Sequence, residues 1–429
     1  MNYLYEDIRV INPATQLDAE MNVLIGPKQI TLDPKDVPAE VKRISGKGKW
    51  CLPGLIDLQV HFRQPGFEYK ETLASGAQAA LAGGVTSVVV MPNTNPTLDN
   101  PEFVAQQNQW MKEAEGIDLY VAAAATFGLK GKENTNIAAL KDAGARAITD
   151  DGLPVMDDDV MRQSLVDCRT NDLLFMQHAE DIDLTQHAPM NDSETSRQLG
   201  VKGQPASAEA IIVERDLRLV AETGARYHVL HTSTERSLNA IREAKSKGLP
   251  VSCEASPHHL ILNDTACAQG DPNKKMNPPL RDEQDRLALI EGLADGSIDA
   301  VATDHAPHSI EEKSVGFEKA PFGVIGLETA FAALLRFVHE EKITPMRAVE
   351  LMTTGPARVL RSQQEMGSLV GEGQSAHACI VDPSLEWTVT PDSLHGKSTN
   401  SAFMNETFRG KVVATFVEGQ LKYDQTAAL

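Results

Sequence analysis

Five residues in this chain have the types and placement that metal-assisted hydrolysis needs. His61, Asp151, His178, His231 and Asp304 each close a short apolar run rich in β-branched or small residues. Imidazole and carboxylate are donors that zinc and similar divalent cations take in proteins. Two such cations about 3.5–4 Å apart share a bridging carboxylate and activate water for attack on a polarised carbonyl. Asp151 closes the fourth apolar run and is placed to bridge, with Asp150 beside it as a cap or support. Asp304, in TDHAPH, is placed to take a proton from that water and hand it to a leaving nitrogen.

The stretch Pro53–Gly66, PGLIDLQVHFRQPG, carries the first of these residues. Alternation along a strand sends residues i and i+2 to one face, so Gln59, His61 and Arg63 are expected to point the same way. A His-x-His metal pair on a strand has this form, but here glutamine stands first. Arg63 offers a planar fork suited to a carboxylate, and Asn93 and Asn277 offer neutral amide contacts. Of His258 and His259, at least one is expected to be structural. His187, His339, His377 and His395 lie in polar or helical contexts and are expected at the surface. The segment Ser309–Lys319 is polar, ends in Ala320-Pro321-Phe322-Gly323, and reads as a mobile loop that closes over a ligand.

The elements that must position these residues alternate. Strand candidates are LIDLQVHF, TSVVVMPN, DLYVAAAATF, ARAITDD, LLFMQHAED, RYHVLHTS, PVSCEASPHH and DAVATDHAPH. Helical stretches such as KETLASGAQAALAGG, AEAIIVERDLRLVAETG and DEQDRLALIEGLADG lie between them, and several end at glycine, as helix C-termini do. Eight buried strands alternating with helices predict an α/β fold, a parallel (β/α)8 barrel of the TIM kind, with an open doubly wound sheet as the alternative. Polar clusters fall at almost every strand end, which in such a barrel is where the chemistry sits. Residues 1–52 and 366–429 read as short strands flanking a barrel at 53–365, and are expected to pack together as one small β-sandwich.

Composition narrows the partners. The 429 residues suffice for one large and one small domain. A formal net charge of −20 repels phosphate backbones and argues against nucleic acid. No stretch is apolar for long enough to span a membrane, and MNYLYEDIRV has no signal-peptide pattern. Five scattered cysteines without CxxC spacing fit reduced thiols in a cytoplasm.

The motifs, in this order, resemble those of dihydroorotases of the long, type I kind, within the cyclic amidohydrolases. They are PGLIDLQVHFRQPG (53–66), KETLASGAQAALAGGVTSVVVMPNTNPTLDN (70–100), ITDDGLPVMD (148–157), MQHAED (176–181), YHVLHTST (227–234), SPHH (256–259), KMNPPLR (275–281), ATDHAPH (302–308) and APFGVIGLETA (320–330). The resemblance implies reversible interconversion of N-carbamoyl-L-aspartate and L-dihydroorotate, a step of de novo pyrimidine synthesis. It implies one or two zinc ions per subunit, held by His61, Asp151, His178, His231 and Asp304, with Asp304 as the acid/base. It implies substrate contacts from Arg63, Asn93, Asn277, His308 and the backbone of Phe322 and Gly323. It also implies a homodimer and, in some relatives, a complex with aspartate carbamoyltransferase. ITDDG carries no lysine, whereas the related dihydropyrimidinases and allantoinases are expected to carry a carboxylated lysine there.

The departure is Gln59, where the family has histidine. A neutral amide is a poorer zinc ligand than imidazole, so the group His61, Asp151 and Asp304 is expected to weaken while Asp151, His178 and His231 keep their donors. Three outcomes follow: a binuclear enzyme, a mononuclear enzyme, or a catalytically impaired relative that scaffolds aspartate carbamoyltransferase. The segment GEGQSAHACIVD also lacks the family's usual Ala-Asp-Leu pattern, which bears on the β-sandwich.

Overall fold

A computed structural model describes residues 1–114 and 116–425. Eight parallel strands form the barrel: β1 (Leu55–Val60), β2 (Val85–Val90), β3 (Asp118–Ala124), β4 (Ala145–Thr149), β5 (Leu174–Gln177), β6 (Tyr227–Val229), β7 (Val251–Ala255) and β8 (Ala300–Val301). Each pairs with its sequence neighbour, so the strand order is simply the chain order. The strands are buried on both faces, which explains why they read as continuous apolar runs. Leu58, Val89, Ala122, Ala147, Met176, Leu230 and Ala302 fill the interior. Val88, Val121, Ile148, Phe175 and Val229 face the surrounding helices.

Closure between β8 and β1 uses a side chain as well as an isolated backbone bridge. The Asp57 carboxylate accepts from Thr303 N at 3.1 Å and Thr303 Oγ1 at 2.6 Å. Just beyond, His61 N donates to His305 O at 2.8 Å, and Val60 and His305 form a parallel bridge.

The helices begin and end as their sequences predict. Helix Leu73–Ala82 starts at Thr72, whose hydroxyl accepts from Ser75 N at 3.0 Å. Helices Ser207–Thr223 and Glu283–Asp295 stop at Gly224 and Gly296, both at positive φ (66° and 83°).

Segments from the two ends of the chain make the second sheet. Tyr3–Asn12, Leu17–Gly26, Gln29–Leu32, Lys42–Ser45 and Trp50–Pro53 come from one end; Ala378–Thr388, Thr407–Val417 and Gln420–Asp424 come from the other. The join is the antiparallel pairing of Trp50–Pro53 with Ala378–Thr388. Tyr3 and Phe416 stack edge to face at 5.3 Å although two strands lie between theirs in the sheet. The sheet therefore curls over onto itself, enclosing Ile8, Val23, Cys51, Ile380 and Phe416 in a core of its own.

Two expectations are corrected. The barrel strands stop short of the polar clusters: β1 ends at Val60, and β8 is only Ala300–Val301. The clusters lie on the first residues after the strands, where the backbone is free to leave extended geometry. His377, expected at the surface, is buried at 4% exposure. The chain there runs directly into the strand Ala378–Thr388, and the ring is wedged between Asp118 at 3.8 Å and Glu418 at 3.2 Å. Among the described residues no helix is long and apolar enough to cross a membrane.

Candidate metal centre

The C-terminal ends of the strands converge on one cavity of about 340 Å³. Its lining includes His61, Arg63, Asn93, Asp151, His178, His231, Asn277, Asp304, His308, Phe322 and Gly323. Every residue singled out for a site from the sequence thus reaches the same space, from the ends of strands and from the loops that follow them.

Asp151 is the shared member of two donor groups. Asp151, His178 and His231 form one, and His61, Asp151 and Asp304 form the other; within each group the ligand atoms lie within 4.8 Å of one another. Its Oδ1 faces His178 Nδ1 at 3.7 Å and His231 Nε2 at 3.6 Å. Its Oδ2 faces His61 Nε2 at 3.1 Å, and that nitrogen lies 2.9 Å from Asp304 Oδ1. Gln59 approaches the same Oδ2 from below, its Nε2 donating at 2.9 Å, so Gln59 and His61 do point the same way.

Local structure explains why these side chains turn inward. His231 and Asp304 are non-glycine residues at positive φ, 30° and 49°. That backbone is costly outside glycine, on the order of 1–3 kcal/mol, and at these two positions it accompanies side chains that line the cavity. The two adjacent aspartates divide their work. Asp150 accepts from Thr126 N at 2.9 Å and from the Thr126 hydroxyl, bracing the turn after β3, which leaves Asp151 for the cavity.

The electrostatics are those of an anionic pocket balanced by protons. Burial would lower the His61 pKa, but Asp151 and Asp304 outweigh it and push it up to about 9. Burial would raise that of Asp151, but His231 and His61 hold it well below the carboxylate range. His178 is likewise raised against burial by Glu180, which itself is held down to about 2 chiefly by His178, against its own burial. A divalent cation can replace protons held in this way, because it needs neutral imidazole and ionised carboxylate. The donor set therefore fits such an ion.

The imidazoles are also oriented. Asn93 Oδ1 lies 2.9 Å from His61 Nδ1, and Glu180 Oε2 lies 3.0 Å from His178 Nε2. Each contact, with the ring as donor, leaves the other nitrogen free to face Asp151. Asn277 donates to Glu180 at 2.8 Å. His258 and His259 are buried outside the cavity lining, and His259 Nε2 meets Pro278 O at 2.8 Å.

The rim is built by the segment after Ser309. It forms a short helix, Ile310–Lys313, and lies folded against the pocket. Lys313 is 6% exposed and donates to Pro272 O, Lys275 O and Pro321 O at 3.0, 3.4 and 2.9 Å. Gly323 has φ +118°, and a Cβ there would stand 2.6 Å from that of Ala306. Burial pushes the His308 imidazole down to about 3, with Arg63 and Lys70 nearby acting in the same direction. It is therefore neutral, and its Nε2 donates to Phe322 O at 2.8 Å.

Sequence reasoning missed three supports. Glu180 had a signal, since it follows His178 by two in MQHAED. Glu209 accepts from Ser233 N and Thr234 N at 3.1 Å, fixing the turn after His231. Asn400 accepts from His308 N at 3.1 Å and donates to Gly323 O at 3.2 Å. Neither of the last two stands near a site motif in the chain.

Comparison with known proteins places the fold and then the family. The structure superposes on an L-hydantoinase (dihydropyrimidinase) from Arthrobacter aurescens with a TM-score of 0.88 at 23% identity, covering 99% of this chain and 96% of that one. A dihydropyrimidinase from Brevibacillus agri gives 0.84 at 22%, covering 99% and 95%. The fold is thus the barrel with an appended β-domain found in cyclic amidohydrolases. A family model described as dihydro-orotase-like matches residues 48–237. The dihydroorotase of Solibacter usitatus is 42% identical, over 98% of this chain and 97% of that protein, and the dihydroorotase of Pelobacter propionicus is 40% identical over 99% and 100%. The chain belongs to the dihydroorotase family.

Proposed function

We propose that this chain is a metal-dependent dihydroorotase, hydrolysing the ring amide of L-dihydroorotate to N-carbamoyl-L-aspartate and catalysing the reverse cyclisation. The observation that carries this reading is the convergence of two acid–imidazole groups, sharing Asp151, with Arg63 in one small cavity. Zinc is the cation that this mixture of imidazole and carboxylate suits, and His61, Asp151, His178, His231 and Asp304 are the residues that would hold it. A bound cation of this kind supplies Lewis acidity, polarising the scissile carbonyl and lowering the pKa of water.

The chain's own groups do the rest. Arg63 Nε is held by Pro307 O at 3.2 Å, which leaves the terminal guanidinium nitrogens for the substrate carboxylate. Burial lowers the Arg63 pKa only to about 10, so the fork stays charged at neutral pH. Asp304 takes a proton as water oxygen bonds to the ring carbonyl carbon. It returns that proton to the ring nitrogen as the C–N bond breaks, giving a carbamoyl NH2 and a carboxylic acid, which releases its remaining proton to solvent and leaves as the carboxylate. Asn93 and Glu180 hold their imidazoles in one tautomer, and the rim at Phe322 and Gly323 closes the pocket around the ring.

The test is turnover by purified protein supplied with zinc, on L-dihydroorotate, hydantoin and dihydrouracil in parallel. Preference for dihydroorotate supports the reading. Turnover of hydantoin or dihydrouracil without dihydroorotate would replace it with a hydantoinase-like activity.

A further inference from the structure

Gln59 is fully buried behind the cavity, and its two amide atoms are unequally served. Nε2 donates to Asp151 Oδ2 at 2.9 Å. Oε1 has no hydrogen-bond partner. Buried acceptors are nearly always satisfied, so an orphan at the edge of a donor cluster calls for an explanation. Reversing the amide would not cure it, because Oε1 would then stand against the Asp151 carboxylate, acceptor facing acceptor, unless a cation lay between them.

The two oxygens of Asp151 are therefore not equivalent. Oδ1 faces two imidazole nitrogens, His178 Nδ1 at 3.7 Å and His231 Nε2 at 3.6 Å, and the amide does not touch it. Oδ2 serves the side of His61 and Asp304 and already carries the Gln59 N–H. A cation on that side must share the Oδ2 atom with this hydrogen bond, or turn the amide over and accept a neutral carboxamide oxygen as an additional donor. It also has one imidazole where the other group has two.

Resting on the metal reading above, we propose that this chain loads its two cation positions unequally. One ion is held tightly by Asp151, His178 and His231. The position at His61, Asp151 and Asp304 is weak and exchangeable, and Gln59 sets the difference through its hold on Asp151 Oδ2. Gln59 is a positioning residue in this account: it acts through the shared carboxylate.

The experiment is a zinc titration of the chelator-stripped full chain, followed by calorimetry and by metal content after dialysis. The expected result is one tight equivalent and a second at least ~100-fold weaker, with Gln59→His strengthening the second by ~10-fold or more. His61→Asn should keep the tight equivalent, and His231→Asn should lose it; these two variants locate the tight position even if Gln59→His does not fold. Two equivalents of matching affinity in the wild type overturn the proposal and leave the dihydroorotase reading standing. So does a tight equivalent that survives His231→Asn and vanishes in His61→Asn. No zinc bound at any position overturns the metal reading itself, and this proposal with it.

Discussion

His178 Nδ1 and His231 Nε2 stand 3.0 Å apart, with their rings at 85° to one another. Two imidazole nitrogens this close repel unless a proton or a cation lies between their lone pairs. Asp151 Oδ1 completes the triangle at 3.7 and 3.6 Å. In the protein without its ion, one proton satisfies the contact; with an ion, both nitrogens can bind it.

Replacing either ring should therefore remove a donor that nothing nearby supplies. His178→Asn or His231→Asn is expected to weaken zinc binding by ~100-fold or more, beyond the 10–100-fold typical of a supporting residue. Metal content after dialysis checks this, with dihydroorotate hydrolysis measured alongside. A variant that retains its zinc would remove His178 and His231 from the metal centre.

Arg63 predicts a different pattern. The guanidinium is steered by Pro307 O through Nε and faces the cavity with the rest of its fork. A charge-assisted pair of this kind contributes about 1.5–3 kcal/mol, or roughly 10–100-fold in kcat/KM. Arg63→Lys should show that loss, mostly in KM, because an ammonium cannot reproduce two parallel hydrogen bonds. Zinc stoichiometry should not change. An unaltered KM would place the substrate carboxylate elsewhere.

Asp304 carries the proton in the proposed reaction. Asp304→Asn keeps an acceptor oxygen for His61, now 2.9 Å away, but cannot take a proton from water. A fall of about 10²–10⁴-fold in kcat at saturating zinc is expected, the range for loss of a general base. The basic group it removes should also vanish from the pH–rate profile. A variant with an intact profile would point to another base.

How far the sequence reached depends on what kind of contact was at stake. The barrel was legible because strands buried on both faces must be apolar runs, and because glycine at helix ends leaves a mark. The inward placement of His61, Asp151, His178, His231 and Asp304 followed from their standing at strand ends. The exact turn did not: His231 and Asp304 reach the cavity through positive-φ backbone, which no alternation rule describes. Asn400 could not be seen at all. It binds His308 and Gly323 from the connection between two strands of the terminal sheet, Ala378–Thr388 and Thr407–Val417, and no local pattern marks a contact made across 92 residues. His377 failed for the opposite reason, since a locally polar context was overridden by the strand packed around it. Gln59 was legible as a departure, but its hydrogen bond to Asp151 and the orphaned Oε1 arise only when β1 and the turn after β4 are brought together by the fold.

Lys313 gives a prediction in pH. Its ammonium is buried under the rim, and burial, aided by Lys275, lowers its pKa to about 7. In the unfolded chain a lysine titrates near 10.4. Between about pH 7 and pH 10 the unfolded state therefore binds a proton that the folded state does not, and this group makes folding stability rise with pH. Below pH 7 both states are protonated and the burial penalty is present in full. Lys313→Met removes the slope, so the stability of the wild type relative to the variant should grow by up to about 1.4 kcal/mol per pH unit from 7 to 9. The variant also leaves the carbonyls of Pro272 and Pro321 without this donor, a pH-independent loss on the order of 1–3 kcal/mol. Because the same segment carries Phe322 and Gly323, its KM for dihydroorotate should rise as well. Denaturant unfolding of both proteins at pH 6, 7, 8 and 9 is the measurement. Parallel curves would mean that Lys313 stays protonated in the fold, held by its three carbonyls more strongly than burial opposes it.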